Sequence, residues 1–359
     1  MTSTDSTDST TTDRSVAVAR LHGIGDVRVE RRPAAVAGPG TSLVRVTAVG
    51  LCGSDLHWFT DGGIGDAGLT HPLVLGHEIA GVVEHGPLTG RRVAVDPSWP
   101  CGRCELCLEG NRNLCPSVRF AGHSATDGGL QELLVWPDDL LHPLPDALSD
   151  ADGAMLEPLG VALHAMDLGR PRLGETIVVV GCGPIGLFLV QLARAAGAER
   201  VVAVEPLAHR REAAARLGAD VVLAPGADIA EALLHATRGR GAGLVVEVAG
   251  NDDAVAISVG AARPGGVVVL VGIPEHDSTA FSASVARRKG LTLKLTRRMK
   301  EMYRRSTGLV ERGVVDVASV VSHTYPLERA AEAFVTAQER RGLKVVVTPS
   351  ATLPAVSQP

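Results

Sequence analysis

The apolar run Thr176-Ile177-Val178-Val179-Val180 leads without a break into Gly181-Cys182-Gly183-Pro184-Ile185-Gly186, and an apolar helical pattern follows over residues 186–196. A strand that feeds a glycine-punctuated turn and then a helix constrains the fold more than any other feature of the chain. It is the first half of a βαβ unit built to hold a dinucleotide. Gly181 permits the tight turn, Gly183 lets a pyrophosphate approach the main chain, and Gly186 lets the helix lie close to the strand. The helix start, at Pro184 and Ile185, offers free N–H groups and a partial positive charge to phosphates. A second strand pattern, residues 200–204, ends against Glu205, 19 residues after Gly186. A carboxylate there accepts from a ribose 2′-hydroxyl and repels a 2′-phosphate, so the expected cofactor is NAD rather than NADP. His209, Arg210 and Arg211 follow, with Arg210 a further candidate contact.

The same texture continues on either side of this turn. Strand-like runs at 200–204, 221–223, 244–248, 266–271 and 291–295 alternate with helical patterns such as 209–217. Uniformly apolar strands between helices predict a parallel sheet covered on both faces. Residues 16–145 read differently, as short strands broken by Gly and Pro, for example 42–49, 78–84 and 92–95, which predicts a compact, mostly β unit. After residue 298 the pattern is mixed again, with a helix expected at 327–340 and a last strand at 344–347. The expected architecture is therefore α/β in two units. A doubly wound cofactor domain (168–297) is inserted between two parts of a β-rich domain (15–167 and 298–359). At 359 residues the chain is long enough for two cores. Residues 1–14, rich in Thr, Ser and Asp, cannot bury anything and are expected to be a disordered tail.

Charge excludes some partners. A formal net charge of −5 leaves no basic footprint for nucleic acid or acidic membrane. No apolar run reaches the roughly 18 residues that span a bilayer. The N-terminus lacks the basic start and apolar stretch of a signal peptide, so a cytoplasmic location is expected. In that compartment cysteines serve as metal ligands more often than as disulfides. Cys101-x2-Cys104-x2-Cys107-x7-Cys115 suits a closed tetrahedral zinc site of the structural type. An iron cluster would use the same thiolates, but nothing else in the sequence asks for electron transfer. A second constellation is scattered: Cys52, then His77-Glu78, then Glu157. One thiolate, one imidazole and one or two carboxylates make a site with an open position, as catalytic zinc requires.

Taken together, Cys52-Gly53-Ser54-Asp55, Gly76-His77-Glu78, the four-cysteine lobe and the glycine turn resemble the zinc-containing medium-chain dehydrogenase/reductases, over residues 16–347. His57-Trp58, Gly63-Ile64-Gly65-Asp66, Pro72 to Glu78, Asn113 to Pro116, Phe120, Asp127-Gly128 and Glu157-Pro158-Leu159 are similar to the sorbitol and xylitol dehydrogenase branch. The resemblance implies a GroES-like β-rich catalytic domain beside a Rossmann cofactor domain. It implies two zinc ions per chain and a homodimer or homotetramer. Cys52, His77 and Glu78 would bind the catalytic zinc, with Glu157 binding it or its water. The implied reaction is oxidation of a secondary hydroxyl of a sugar alcohol to a ketose, with hydride transfer to NAD. Ser54 and His57 would carry the proton outward. Trp58, Phe120 and Arg298 would line the substrate pocket. Trp58 stands where the branch often has Tyr, and Met299 where an aromatic usually follows the arginine, which points to a tetritol or pentitol rather than sorbitol. The alternatives are a hydroxy acid such as L-idonate or L-threonine, with Arg298 as its cation, and a nucleotide-binding structural protein without catalysis.

Overall fold

The computed structural model describes residues 14–274 and 277–350. Except for Arg14, whose guanidinium pairs with Glu84 at 2.6 Å, the expected tail lies outside these residues.

The β-rich part is built on one largely antiparallel sheet. Its strands run in the order Leu141–Pro143, Arg92–Val95, Glu78–His85, Thr41–Gly50, Lys344–Thr348 and Val321–Pro326, and Leu133–Pro137 also pairs with Thr41–Gly50. A hairpin, Ser15–Gly23 with Asp26–Pro33, stands beside this sheet. Val16, Val18, Val44, Val46 and Val49 from these strands are fully buried with Leu73, Leu75, Leu130 and Phe334. The C-terminal strand Lys344–Thr348 joins this sheet next to Thr41–Gly50, its partner in sequence by almost the whole chain length.

The second sheet has six strands, all parallel. Their order is Val221–Leu223, Arg200–Val204, Thr176–Val180, Ala242–Glu247, Ala262–Leu270 and Thr292–Leu295. The order reverses between Thr176–Val180 and Ala242–Glu247. Ligands of such sheets bind in the crevice outside the carboxyl ends of the strands at that reversal. Every residue of Ala242–Glu247 is buried, as a strand covered by helices on both faces must be.

One helix ties the sheets together. Asp150–Gly169 starts with a reciprocal cap: Ser149 Oγ accepts from Asp152 N at 3.1 Å and Asp152 Oδ2 from Ser149 N at 2.8 Å. Met155, Leu156 and Leu159 are completely buried and share one core with Ala48 and Ala80 of the first sheet and Ile177 and Val179 of the second. Glu157 therefore sits in the middle of this helix, with Pro158 beside it. The helix expected at 327–340 is a 3₁₀ turn, Leu327–Arg329, followed by an α-helix, Ala330–Gln338. Among the described residues no helix is long and apolar enough to cross a membrane.

Candidate functional site

The glycine turn is shaped by the protein at two of its three glycines and left open at the third. Gly181 has φ +97°, and a Cβ on it would come within 3.0 Å of Ala249 N. A Cβ on Gly186 would lie 2.0 Å from Gly181 O. Gly183, the cap of the helix Pro184–Ala195, has an ordinary φ of −65°, and its Cβ would meet only Arg210 Nη1, at 3.8 Å. A side chain there would obstruct nothing of the chain, only a group approaching from outside, so the turn fits a dinucleotide phosphate. Pro184 fills the first helical position, where no N–H is needed, and Ile185 is half-buried behind it.

Two buried carboxylates flank the turn from neighbouring strand ends. Glu205 Oε2 accepts from Cys182 N at 2.7 Å and Oε1 from Leu207 N at 3.0 Å. Each oxygen keeps a lone pair for another donor. On the other side Glu247, at the end of Ala242–Glu247, accepts with Oε1 from Ala249 N at 2.6 Å and Gly250 N at 2.7 Å. Its carboxylate thereby fixes the loop against which Gly181 packs. Nothing in the local sequence marked Glu247, because its partners are main-chain groups that any residues would supply. Arg210 is half-buried, donates to Gly342 O at 3.3 Å and keeps a buried Nε with no partner. Burial lowers its pKa.

The four cysteines of the lobe converge. All are free thiols, and their Sγ atoms lie within 4.8 Å of one another. The pair Cys104–Cys107 is 3.4 Å apart and Cys101–Cys107 4.0 Å, while Cys115 Sγ accepts from Cys101 N at 3.3 Å. Zinc–thiolate bonds of about 2.3 Å in a tetrahedron put sulfurs about 3.8 Å apart, so the spacing fits that ion. Backbone N–H groups of Arg103 and Cys104 pull the Cys101 thiol down to about 6, which favours the thiolate.

The second cluster joins Cys52, His77 and Glu78, whose ligand atoms also lie within 4.8 Å of one another. Soft sulfur, imidazole and carboxylate fit zinc with one position open. Cys52 caps the helix Gly53–Asp61, and the turn before His77 is made by Gly76 at φ +90°. Asp55, whose part the sequence reading had not assigned, locks both together. Its Oδ2 accepts from Cys52 N at 2.9 Å, and its Oδ1 accepts from Gly76 N at 3.1 Å and lies 3.4 Å from His77 Nδ1. That contact fixes the tautomer and turns Nε2 toward the cluster. Burial lowers the His77 pKa, but Asp55 and Cys52 outweigh it and hold the ring well above its ordinary value. A field that stabilises positive charge at this point also suits a cation.

Behind the cluster lies a second unassigned residue. Lys344 Nζ donates to both Glu78 oxygens, at 2.6 and 2.8 Å, and to Leu51 O at 3.0 Å, all buried. The pair spans 266 residues of sequence. Glu157 is buried nearby but is not one of the three converging groups. Burial, with Glu78 adding to it, pushes its carboxyl up to about 7.

Toward solvent, Ser54 Oγ lies 3.5 Å from His77 Nε2. His57 follows one turn later on the same helix and its Nδ1 is 3.0 Å from Asp61 Oδ2. Phe120 packs its ring 5.2 Å from that of His77, and the Arg298 guanidinium stacks 3.9 Å above Phe120. Trp58 is 2% exposed, edge-on to His123 at 5.5 Å. It packs against His123, which lines the cleft.

These features recur in known proteins. Residues 184–312 match the family described as "Zinc-binding dehydrogenase", and residues 38–146 match "Alcohol dehydrogenase GroES-like domain". The sorbitol dehydrogenase of Bacillus subtilis is 32% identical over 349 residues, covering 95% of this chain and 99% of that protein. The probable D-xylulose reductase A of Arthroderma otae is 36% identical over 342 residues, covering 91% and 95%. The crystal structure of L-idonate 5-dehydrogenase from Escherichia coli superposes with a TM-score of 0.86 at 28% identity, over 93% of this chain and 98% of that one. With the GroES-like and Rossmann-type halves, the cysteine lobe and near full-length relatives in hand, the chain belongs to the zinc-binding dehydrogenases, a family of oxidoreductases.

Proposed function

We propose that this protein oxidises a secondary hydroxyl of a sugar alcohol to a ketose and passes the hydride to NAD. The observation that carries the reading is the convergence of Cys52, His77 and Glu78 beside a cleft, on a chain that also holds an open glycine turn. Named polyol dehydrogenases among its relatives support it. The non-catalytic alternative predicts missing donors, and all of them are present.

When bound, zinc supplies Lewis acidity at the substrate hydroxyl and NAD accepts the hydride. Cys52, His77 and Glu78 would hold the metal, with Asp55 orienting His77 and Lys344 orienting Glu78. Glu157, kept partly protonated by its burial, can donate to or accept from a neighbouring hydroxyl of the substrate. The hydroxyl proton would leave along Ser54 and then His57, whose Nδ1 is steadied by Asp61. Phe120 excludes water from one side. Gly181, Gly183, Gly186 and the start of the helix at Pro184 and Ile185 would take the pyrophosphate. Glu205 would take the ribose diol and Arg210 would close over Gly183. The four cysteines would hold a second, structural zinc. The chain divides into a catalytic part (15–167 and 298–359) and a cofactor part (168–297), and works as a cytoplasmic homodimer or homotetramer.

The test is turnover. Zinc-loaded protein is given NAD or NADP with four- to six-carbon sugar alcohols, L-idonate, L-threonine and ethanol, with Cys52→Ser as control. NADH formation with a polyol, lost in Cys52→Ser, is expected. Zinc and NAD binding without turnover of any substrate would overturn the reading.

A further inference from the structure

The cleft beside the Cys52–His77–Glu78 cluster has a volume of about 1150 Å³, and its lining includes two segments far apart in the chain, Asn113 to Pro116 and Thr296 to Arg298. The second belongs to no strand or helix. It runs from the strand Thr292–Leu295 to the helix Tyr303–Glu311. Within it Arg298 has a left-handed backbone, φ +54°, which a residue with a side chain keeps only where its surroundings fix it. The segment's own side chains fasten it poorly. Thr296 Oγ1 and Arg298 Nη1 are buried with no hydrogen-bond partner among the described residues. The grip comes instead from one turn of the cysteine lobe. Asn113 Nδ2 donates to Arg297 O at 2.9 Å, Lys300 Nζ donates to Asn111 Oδ1 at 2.8 Å, and Arg112 Nη1 lies 3.3 Å from Glu301 Oε1. The Arg112–Glu301 pair is exposed and screened by water, so it holds little. Asn113 is 5% exposed, and the oxygen it grips belongs to the peptide group that leads into Arg298.

The turn that presents Asn113 is itself fixed. It lies between Cys107 and Cys115 of the four-thiol cluster, with Gly110 N donating to Cys107 O at 3.1 Å and Cys115 N to Arg112 O at 3.2 Å. Asn113 Oδ1 is buried with no partner, so its amide is committed to the Arg297 carbonyl. We propose that Asn113 is a positioning residue for the substrate: by holding the Arg297–Arg298 peptide it passes the rigidity of the cysteine lobe to the cleft wall, and so sets where Arg298 and Phe120 meet the substrate. The path to the metal ligands is short. The Arg298 guanidinium lies 3.9 Å over the Phe120 ring, whose centre is 5.2 Å from that of His77. Elsewhere the segment rests on the helix that carries Glu157, where Met299 Sδ fills the space a Cβ on Gly160 would need. The effect on the substrate rests on the polyol reading above; the hold on the wall does not.

The experiment compares the wild type with Asn113→Leu and, as a control, with Leu108→Ser, a change of an exposed side chain of the same lobe. Each full-length protein is zinc-loaded and its metal content measured. Two quantities are then read: the rate of trypsin cleavage after Arg297, which is exposed, and initial-rate kinetics with NAD and the polyol that the wild type turns over best. In Asn113→Leu cleavage after Arg297 is expected to quicken about tenfold while other sites keep their rates. KM for the polyol is expected to rise about tenfold with kcat, KM for NAD and metal content unchanged, a split that a general loss of stability would not produce. Leu108→Ser should change none of these. Should Asn113→Leu misfold or lose its metal, Lys300→Met, which cuts another contact to the same turn, should move both quantities in the same direction. An unchanged KM for the polyol in a variant that keeps its metal overturns the inference and leaves polyol oxidation standing. Where the wild type turns over no polyol, the polyol reading falls, and an unchanged cleavage rate then overturns the hold on the wall as well.

Discussion

Glu78 is held by what surrounds it more than by its own sequence neighbours. Lys344 takes both of its oxygens, and Gly50 leaves the space in which they lie. A Cβ on Gly50 would sit 1.9 Å from Glu78 Oε2 and 2.8 Å from Met155 Cε. Gly50→Ala is therefore expected to displace the carboxylate and lower zinc affinity by about 10- to 100-fold, the usual effect of disturbing a ligand's support; metal content after dialysis against a graded chelator checks this. Lys344→Met leaves Glu78 buried without the cation that donates to both of its oxygens and should cost about 3–5 kcal/mol of stability in the metal-free protein. Denaturant unfolding measures it, and the double variant with Glu78→Gln should recover most of the loss. These two residues illustrate the limit of reading residues singly. Cys52, His77 and Glu78 stand in short recognisable motifs, whereas Lys344 reads as an ordinary charged residue at the start of a strand. Its partner is fixed only when the last strand docks beside Thr41–Gly50. Asp55 stands inside one of those motifs, and its role there is to hold the main chain. The signal was its position three residues after the cap Cys52, where a carboxylate reaches back to the main chain.

At the level of elements, the cofactor turn is held by carboxylates at the ends of the strands on either side of it. Glu205 clasps Cys182 N and Leu207 N, and Glu247 clasps Ala249 N and Gly250 N. The loop after Glu247 also meets the next strand's end: Val271 N donates to Glu247 O at 2.8 Å, and a Cβ on Gly250 would lie 2.2 Å from Ile273 O. Glu247→Gln keeps an acceptor but loses the charge that binds two N–H groups at once. KM for NAD is expected to rise about tenfold with KM for the polyol unchanged, the mark of a lost binding contribution rather than a lost chemical one; initial-rate kinetics with each substrate varied would show it. Three strands of the parallel sheet, Thr176–Val180, Arg200–Val204 and Val221–Leu223, were legible to the residue from their apolar runs, whereas Ala242–Glu247 and Ala262–Leu270 begin two and four residues before the expected starts, where Gly243 and Arg263 to Gly266 interrupt the apolar run. The helix Asp150–Gly169 was not read as an element: apolar on all sides, it shows no amphipathic period, and Pro158 argues locally against it. It forms because both sheets bury it.

For the whole molecule, the stack of His142 on Tyr303, 4.4 Å between ring centres and 8° from parallel, fastens the segment that returns from the cofactor strands onto the first sheet. His142 comes from the first sheet, and Tyr303 opens a helix that follows the cofactor strands. Tyr303 also donates to Val95 O at 2.7 Å. Burial, with Arg112 adding to it against Asp139 and Glu301, pushes the His142 pKa down to about 4 from its ordinary 6.5. The folded protein thus keeps this ring neutral while the unfolded chain protonates it near pH 6.5. Stability is unaffected above pH 6.5 and is lost as pH falls from 6.5 to 4, by at most about 3 kcal/mol. His142→Phe keeps the stack and should flatten that part of a thermal-stability profile against pH, while an unchanged acid limb would deny the group its role. The sequence by itself determined the glycine turn, the cysteine lobe, the strand-by-strand texture and three donors of the metal cluster. Each depends on chemistry within a few residues: a backbone that only glycine adopts, thiols at ligand spacing, apolar periodicity. Only the tertiary structure decided that Glu78 meets Lys344, that Glu205 grips the main chain of the turn and Glu247 that of the loop beside it, that Trp58 packs edge-on to His123, and that four guanidinium groups line one cleft. Such pairings join segments far apart in the chain, and a charged or polar residue carries no local trace of the partner that folding will bring to it.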